Sequence, residues 1–236
     1  MRRAILLFGH ADDGTFNDRL ARSYADGFRA EGGELERIDL AALRFDPILR
    51  HGYRVPQPLE PDLLDARARI EAADHLVWVF PTYWASPPAV VRGFVDRVFL
   101  PGWAFAFPPR RRAPRSPESG ATSTRSARTG ALSAPWPDSS LPKGLLAGRS
   151  ARVITTMDTP SWWYTAIDHR CLHRSFGTAT LSFCGLAPLR FTTVHGVREL
   201  AEPERARTLR DVARLGARDA RARRSAAFVG RELGAP

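Results

Sequence analysis

Six residues set between two hydrophobic runs carry the first chemistry: Pro81-Thr82-Tyr83-Trp84-Ala85-Ser86, directly ahead of Pro87-Pro88. Two large aromatics between prolines make a stiff loop that presents flat surfaces. Backbone N–H and C=O groups left free in an irregular loop can bond the polar edge of a planar ligand. The combination suits a flat, conjugated ring with Tyr83 or Trp84 over one face; an ordinary strand-to-helix turn whose aromatics cap the core would use the same residues. A second polar-then-aromatic stretch, Met157-Asp158-Thr159-Pro160-Ser161-Trp162-Trp163-Tyr164, follows Thr155-Thr156 and is expected to face the first loop across one crevice. A third, Gly9-His10-Ala11-Asp12-Asp13-Gly14-Thr15-Phe16-Asn17, is bounded by glycine and feeds a helix. Its N–H groups and the positive helix end can hold a phosphate, with Thr15 and Asn17 as side-chain donors. Thr15 capping the helix with no ligand is the alternative. Neither the G-x-G-x-x-G nor the G-K-[ST] phosphate pattern occurs there.

These loops need strands and helices to aim them, and the hydrophobic pattern supplies both. Leu76 to Phe80 is a continuous apolar run, as in a strand covered on both faces of a parallel sheet. Val90, Val91, Phe94, Val95, Val98 and Phe99 then recur at helical spacing behind Pro87-Pro88. Upstream, Ala4–Phe8 predicts the first strand, Phe16 to Phe28 a helix stopped at Gly32-Gly33, Leu35–Leu40 a strand nearer an edge, and Asp62–Ala73 a helix. Phe45 to Pro61 is a Pro-rich connection. Downstream, Ala151–Thr156 and Leu189–Val194 predict two further strands, Tyr164 to Thr180 a helical stretch and Pro203 to about Arg224 the last helix. Pro101-Gly102-Trp103-Ala104-Phe105-Ala106-Phe107 is aromatic, non-helical and expected to line the site. Alternating strands and helices predict an α/β fold with a doubly wound five-stranded parallel sheet, whose ligands bind at the carboxyl ends of the strands.

A chain of 236 residues accommodates one large domain, here 1–224, followed by a tail at 225–236. From Pro108 to Pro142 the composition turns to Pro, Arg, Ser, Thr and Gly. Such a stretch cannot bury enough apolar surface to offset its ordering entropy, which predicts a disordered insertion, a basic docking arm being the functional alternative. The net charge of +10 raises a nucleic-acid partner. Its distribution argues against one, because the excess lies in the 107–142 segment, with six Arg against two acids, and in 201–236, with nine Arg against five acids. Two cysteines make no disulfide framework, which fits a reducing compartment and a cytoplasmic location. No apolar run reaches the ~18 residues of a membrane span, and the amino end reads as a strand rather than a leader. His169-x-Cys171-x-His173 invites a metal assignment, yet on a helix the two histidines share a face while Cys171 points away, so no metal is expected.

Four segments in order resemble the flavodoxin-like NAD(P)H:quinone oxidoreductases. They are His10 with Thr15-Phe16-Asn17; Pro81-Thr82-Tyr83-Trp84 with Pro87-Pro88-Ala89 and Phe94-Val95-Asp96-Arg97-Val98; Pro101-Gly102-Trp103-Ala104-Phe105; and Thr155-Thr156 with Leu181-Ser182-Phe183-Cys184-Gly185. The resemblance implies a flavodoxin-like sheet in the order 2-1-3-4-5 and a homodimer. It implies FAD or FMN, with His10, Thr15, Phe16 and Asn17 around the flavin phosphate, Pro81, Thr82, Tyr83 and Trp84 along the ring edge, and Thr155 and Thr156 near its pyrimidine end. It further implies NAD(P)H as hydride donor and a quinone or similar flat acceptor. The Tyr and His that stabilise charge on the reduced flavin in the mammalian enzymes fall at Trp163, with Tyr164 beside it, and at His169. Two departures stand out. Ala11-Asp12-Asp13 replaces the usual Pro after the first-loop His, and carboxylates beside a phosphate weaken its binding unless they point to solvent. Met157-Asp158 replaces a Gly-Gly pair and narrows the pocket. The alternative function is a flavin-binding regulatory or ancillary subunit of a channel or other protein.

Overall fold

The computed structural model describes residues 1–107 and 142–222. The expected insertion at 108–142, apart from Pro142, and the tail at 225–236 lie outside the described residues. The elements are β1 (Arg3–Phe8), α1 (Phe16–Ala30), β2 (Glu34–Asp39), α2 (Pro61–Ala72), β3 (His75–Pro81), α3 (Ala89–Val98), β4 (Phe105–Ala106), β5 (Lys143–Gly144), β6 (Ser150–Met157), α4 (Ser161–Ala166), a π helix (His173–Ser182), β7 (Leu189–His195) and α5 (Glu202–Arg221). β2-β1-β3-β6-β7 form one parallel sheet in that order, the expected 2-1-3-4-5 arrangement, while β4 and β5 make a small antiparallel pair that the sequence reading did not anticipate.

β3 and β6 are buried along their whole length, which explains the unbroken apolar run Leu76–Phe80 of β3, while the polar residues of β6 bond other groups at its two ends. One face of the sheet is covered by α1 and α5. They meet closely because a Cβ on Gly27 would stand 1.9 Å from the Ala213 carbonyl oxygen, and one on Gly216 2.1 Å from that of Tyr24. The other face packs α2, α3 and the π helix around Trp78, whose ring meets Phe94, Phe99 and Phe176 at 6.3, 5.9 and 5.2 Å. Arg97, fully buried on α3, bonds Glu60 at 2.8 Å and the carbonyls of Asp46 and Pro58, pinning the Pro-rich connection to the core.

A buried polar network closes the amino end of the sheet. Tyr24 donates to Asp219 Oδ2 at 2.7 Å, Arg152 donates to Oδ1 at 3.1 Å, and Arg2 bonds the Asp219 carbonyl and Ser150 Oγ. His75 Nδ1 lies 2.7 Å from the same Ser150 hydroxyl. Asp219 thereby fastens α5 to β1, β3 and β6.

Two expectations are corrected. The helix expected from Tyr164 to Thr180 is broken: α4 stops at Ala166, and His169 and Arg170 take left-handed angles (φ 49° and 52°) before the chain winds into the wider π helix. The shared-face argument for His169 and His173 therefore does not apply. Trp103, within the Pro101–Phe107 segment, stands away from the carboxyl ends of the strands. α3 runs back across the sheet, so the chain after it emerges at the opposite end, where the Trp103 indole N–H bonds Glu71 near the end of α2 and its ring lies 5.6 Å from Phe99.

Candidate functional site

Three strands deliver the expected residues to one end of the sheet. The β1 tip turns at Gly9, where a Cβ would stand 2.2 Å from Val91 Cγ2 and 3.2 Å from Phe80 Cβ, so the first loop passes tightly over β3 and α3. His10 Nδ1 accepts from the Asp12 N–H at 2.9 Å and folds the loop on itself. Thr15 caps α1, its Oγ1 accepting from the Asp18 N–H at 3.3 Å. The N–H groups of Thr15, Phe16 and Asn17 find no acceptor among the described residues and stand at the positive end of a 15-residue helix.

Asp12 and Asp13 are exposed, and Asp13 pairs with Arg37 at 3.4 Å. Asp18 is buried, yet its carboxyl sits below the ordinary value: burial pushes it up, and the bonds from Arg37 and the Gly14 N–H, with the charges of Arg37 and Arg22, outweigh that. The Arg37 guanidinium lies 4.2 Å from the Phe8 ring centroid. Arg19 and Arg205 flank the Phe16 ring at 6.0 and 5.0 Å, adding positive potential near the helix start.

At the neighbouring tip, Pro81 is buried and the Thr82 N–H donates to the Thr156 carbonyl at 2.8 Å. Thr82 and Thr155 share a hydroxyl hydrogen bond at 2.8 Å, and Asn17 Nδ2 donates to Thr156 Oγ1 at 3.0 Å. β1–α1, β3 and β6 are thus tied into one rim by Asn17, Thr82, Thr155 and Thr156. Above it Tyr83 and Ser86 exchange two backbone bonds of 2.9 Å around Trp84 and Ala85, both left-handed at φ 50° and 57°. Such a turn is normally built from Asn and Gly, and non-glycine residues in this region carry strain that collects at functional sites. The Trp84 side chain is 98% exposed.

The opposing wall is α4. Trp162 and Trp163 are exposed with ring centroids 5.6 Å apart, while Tyr164 is buried, its hydroxyl 2.8 Å from His173 Nδ1. His169 is exposed on its left-handed turn and does not pair with Tyr164. Two residues further on, Cys171 Sγ reaches the Ala85 carbonyl at 3.6 Å and bridges the two loops. Arg37, Cys171, His173 and His195 were not singled out for this site from sequence. The readable signals were the position of Arg37 near the end of β2 beside the first loop and of His195 at the end of β7, opposite Met157.

A parallel sheet in this order, with an anion-ready helix start and two aromatic loops at the carboxyl ends, defines a flavodoxin-like α/β protein. The chain belongs to the Flavodoxin_2 family, the flavodoxin-like fold, which its residues 2–215 match. It is 26% identical over 127 residues to NAD(P)H dehydrogenase (quinone) 1 of Rattus norvegicus, an alignment covering 45% of this chain and 46% of the rat protein. The chain thus spans about half the length of the curated relatives it matches. Among solved structures it superposes on an NAD(P)H:quinone oxidoreductase from Methanothermobacter marburgensis with a TM-score of 0.67 at 18% identity, covering 92% of this chain and 98% of that one. An FMN-dependent NADH-azoreductase from Bacillus anthracis, in complex with FMN, gives 0.63 at 15% identity, with 93% and 100% covered. At these identities the two structures speak for the fold.

Proposed function

We propose that the chain binds FMN or FAD in this crevice and passes a hydride from NAD(P)H to a quinone or similar flat acceptor. The observation that carries the reading is the meeting of three features at one rim. These are the free N–H groups of Thr15 to Asn17, the bonded Asn17–Thr156 and Thr82–Thr155 pairs, and Trp84 held fully exposed on a strained turn. The residues fit a flavin. A phosphate satisfies unpaired donors at a helix start, and a planar ring covers aromatic surface that is otherwise left in water.

Bound there, a flavin supplies the two-electron hydride chemistry that no side chain of the chain can provide. The chain's own work is positioning. Thr15, Phe16 and Asn17 hold the phosphate, with His10 shaping the loop; Pro81, Thr82, Tyr83 and Trp84 follow the ring edge; and Thr155 and Thr156 border its pyrimidine end. Donors at that rim stabilise negative charge as it develops. Tyr164 and His169 are the two residues this reading assigns to stabilising that charge, the Tyr164 hydroxyl standing 2.8 Å from His173 Nδ1 and His169 being exposed. The exposed Trp84, Trp162, Trp163 and Ile167 favour a homodimer that shields this apolar end.

Purification tests the reading directly. The protein is expected to be yellow, or to turn so with added FMN or FAD, and to consume NADH or NADPH with a soluble quinone. Colour without turnover under either nicotinamide would favour the regulatory subunit. A chain that takes up neither flavin removes both readings.

A further inference from the structure

α4 has six residues and no side-chain cap at its amino end, too short a helix to persist unaided. Two imidazoles hold it. The Tyr164 hydroxyl is 2.8 Å from Nδ1 of His173, the first residue of the π helix, and the Tyr164 ring lies 5.7 Å from that of His195, the last residue of β7. His195 Nδ1 lies 2.8 Å from the Thr159 carbonyl, in the loop between β6 and α4. A carbonyl only accepts, so His195 carries a proton on Nδ1. Burial pushes the Tyr164 hydroxyl up to about 12, so it keeps its proton and can donate to His173 Nδ1 in the neutral tautomer that leaves that nitrogen bare. The His173 ring is fixed by stacking on Phe191, with centroids 3.9 Å apart and planes at 25°.

We infer that neutral His173, with His195, is a positioning residue for the α4 wall: the two rings seat Tyr164 and Thr159, and so hold Trp162 and Trp163 beside the crevice. The consequence for ligand binding rests on the proposed ring site, but the hold itself does not. The charged and titratable groups around the pair are Arg170, Asp168 and Cys171 on the connecting turn, Tyr164 on α4 and His195 on β7. Burial first, then the charges of Arg170 and His195, keep His173 below its ordinary value. Protonation makes Nδ1 a donor, so the Tyr164 hydroxyl must turn to accept from it, and it leaves a half-buried imidazolium beside Arg170 and His195. Because the folded state binds this proton less readily than the unfolded one, the hold is complete above about pH 6.5 and weakens as pH falls below it.

Amide hydrogen exchange on the full chain, without added flavin, tests this. His173→Ala and Tyr164→Phe are each expected to speed exchange of residues 159–167 about fivefold, the ratio that one lost hydrogen bond produces, with β1 and β3 unchanged. The double variant should add nothing beyond either single change, His173→Asn should keep most of the protection, and the wild-type segment should open as pH falls from about 6.5 to about 5 with His173→Ala insensitive over that range. Unchanged exchange in both single variants, additive increments, or an equal loss of protection in β1 and β3 would overturn the inference. Flavin uptake by the wild-type chain is read separately, so a failure of the ring site and a failure of this hold give different results.

Discussion

Asn17, in the first turn of α1, donates from Nδ2 to the hydroxyl of Thr156 at the end of β6, 3.0 Å away and 139 residues later, with both side chains buried. The bond joins the loop after β1 to the rim that faces the second loop. Thr156→Val preserves shape and leaves the Asn17 amide short of a partner, an expected loss of ~1–3 kcal/mol in urea unfolding. Weaker FMN retention should accompany it. Thr156→Ser keeps the hydroxyl and should cost much less. Equal unfolding midpoints for the Val variant and the wild type would show that the bond carries no weight.

The Trp84–Ala85 turn sets stability against ligand contact. Ala85→Gly relieves a left-handed alanine and should stabilise the protein by about 1 kcal/mol, with flavin content retained. Trp84→Asn should also ease the backbone while removing the exposed ring, so thermal unfolding should hold or rise as flavin affinity falls. A loss of stability in both variants would mean the turn is not strained as described.

Asp219 is the counter-charge of a buried cluster, and its removal should be severe. Asp219→Ala strands Arg152 without its carboxylate and the Tyr24 hydroxyl without its acceptor, an expected loss of ~3–5 kcal/mol. Burial raises the Asp219 carboxyl, but the bonds and charges of His75 and Arg152 outweigh it and hold the group well below the carboxylate range. A depressed carboxylate stabilises fully above its unfolded value of about 3.9 and loses that contribution as pH falls further. Wild-type unfolding free energy should therefore drop on acidification below about pH 4 more steeply than that of Asp219→Asn.

The two thiols should differ sharply. Cys184 is buried, which pushes it up to about 12, whereas Cys171 is partly exposed beside Ala85. A native chain treated with a thiol-specific dye is expected to label at Cys171 and to label Cys184 after denaturation. Early labelling of Cys184 would show that the packing of the π helix against β5 opens readily.

The sheet and most of its helices were legible because burial leaves a direct trace in side-chain order. Leu76–Phe80 is apolar without alternation because β3 lies in the middle of the sheet with both faces covered. The rim residues were legible for a different reason: Thr82, Thr155, Thr156 and Asn17 sit at strand tips and a helix start, whose positions follow from the pattern. The failures occur where the backbone leaves regular geometry. His169 and Arg170 carry no glycine to announce a left-handed turn, so the run from Tyr164 to Thr180 read as one helix, and the pairing of Tyr164 with His173 rather than His169 could not be counted from spacing. Trp103 misled because its local sequence resembles a site segment, whereas its location is set by the direction of α3 across the sheet.

Asp219 belongs to α5, so during synthesis on the ribosome all five strands of the parallel sheet emerge before the carboxylate that pairs with Arg152. A nascent chain that has made β7 but not α5 holds Arg152 without that partner at the amino end of the sheet and leaves a side of α1 uncovered. Locking the structure therefore waits on translation of the last helix, and a prematurely terminated product carries exposed apolar surface of the kind chaperones and proteases recognise.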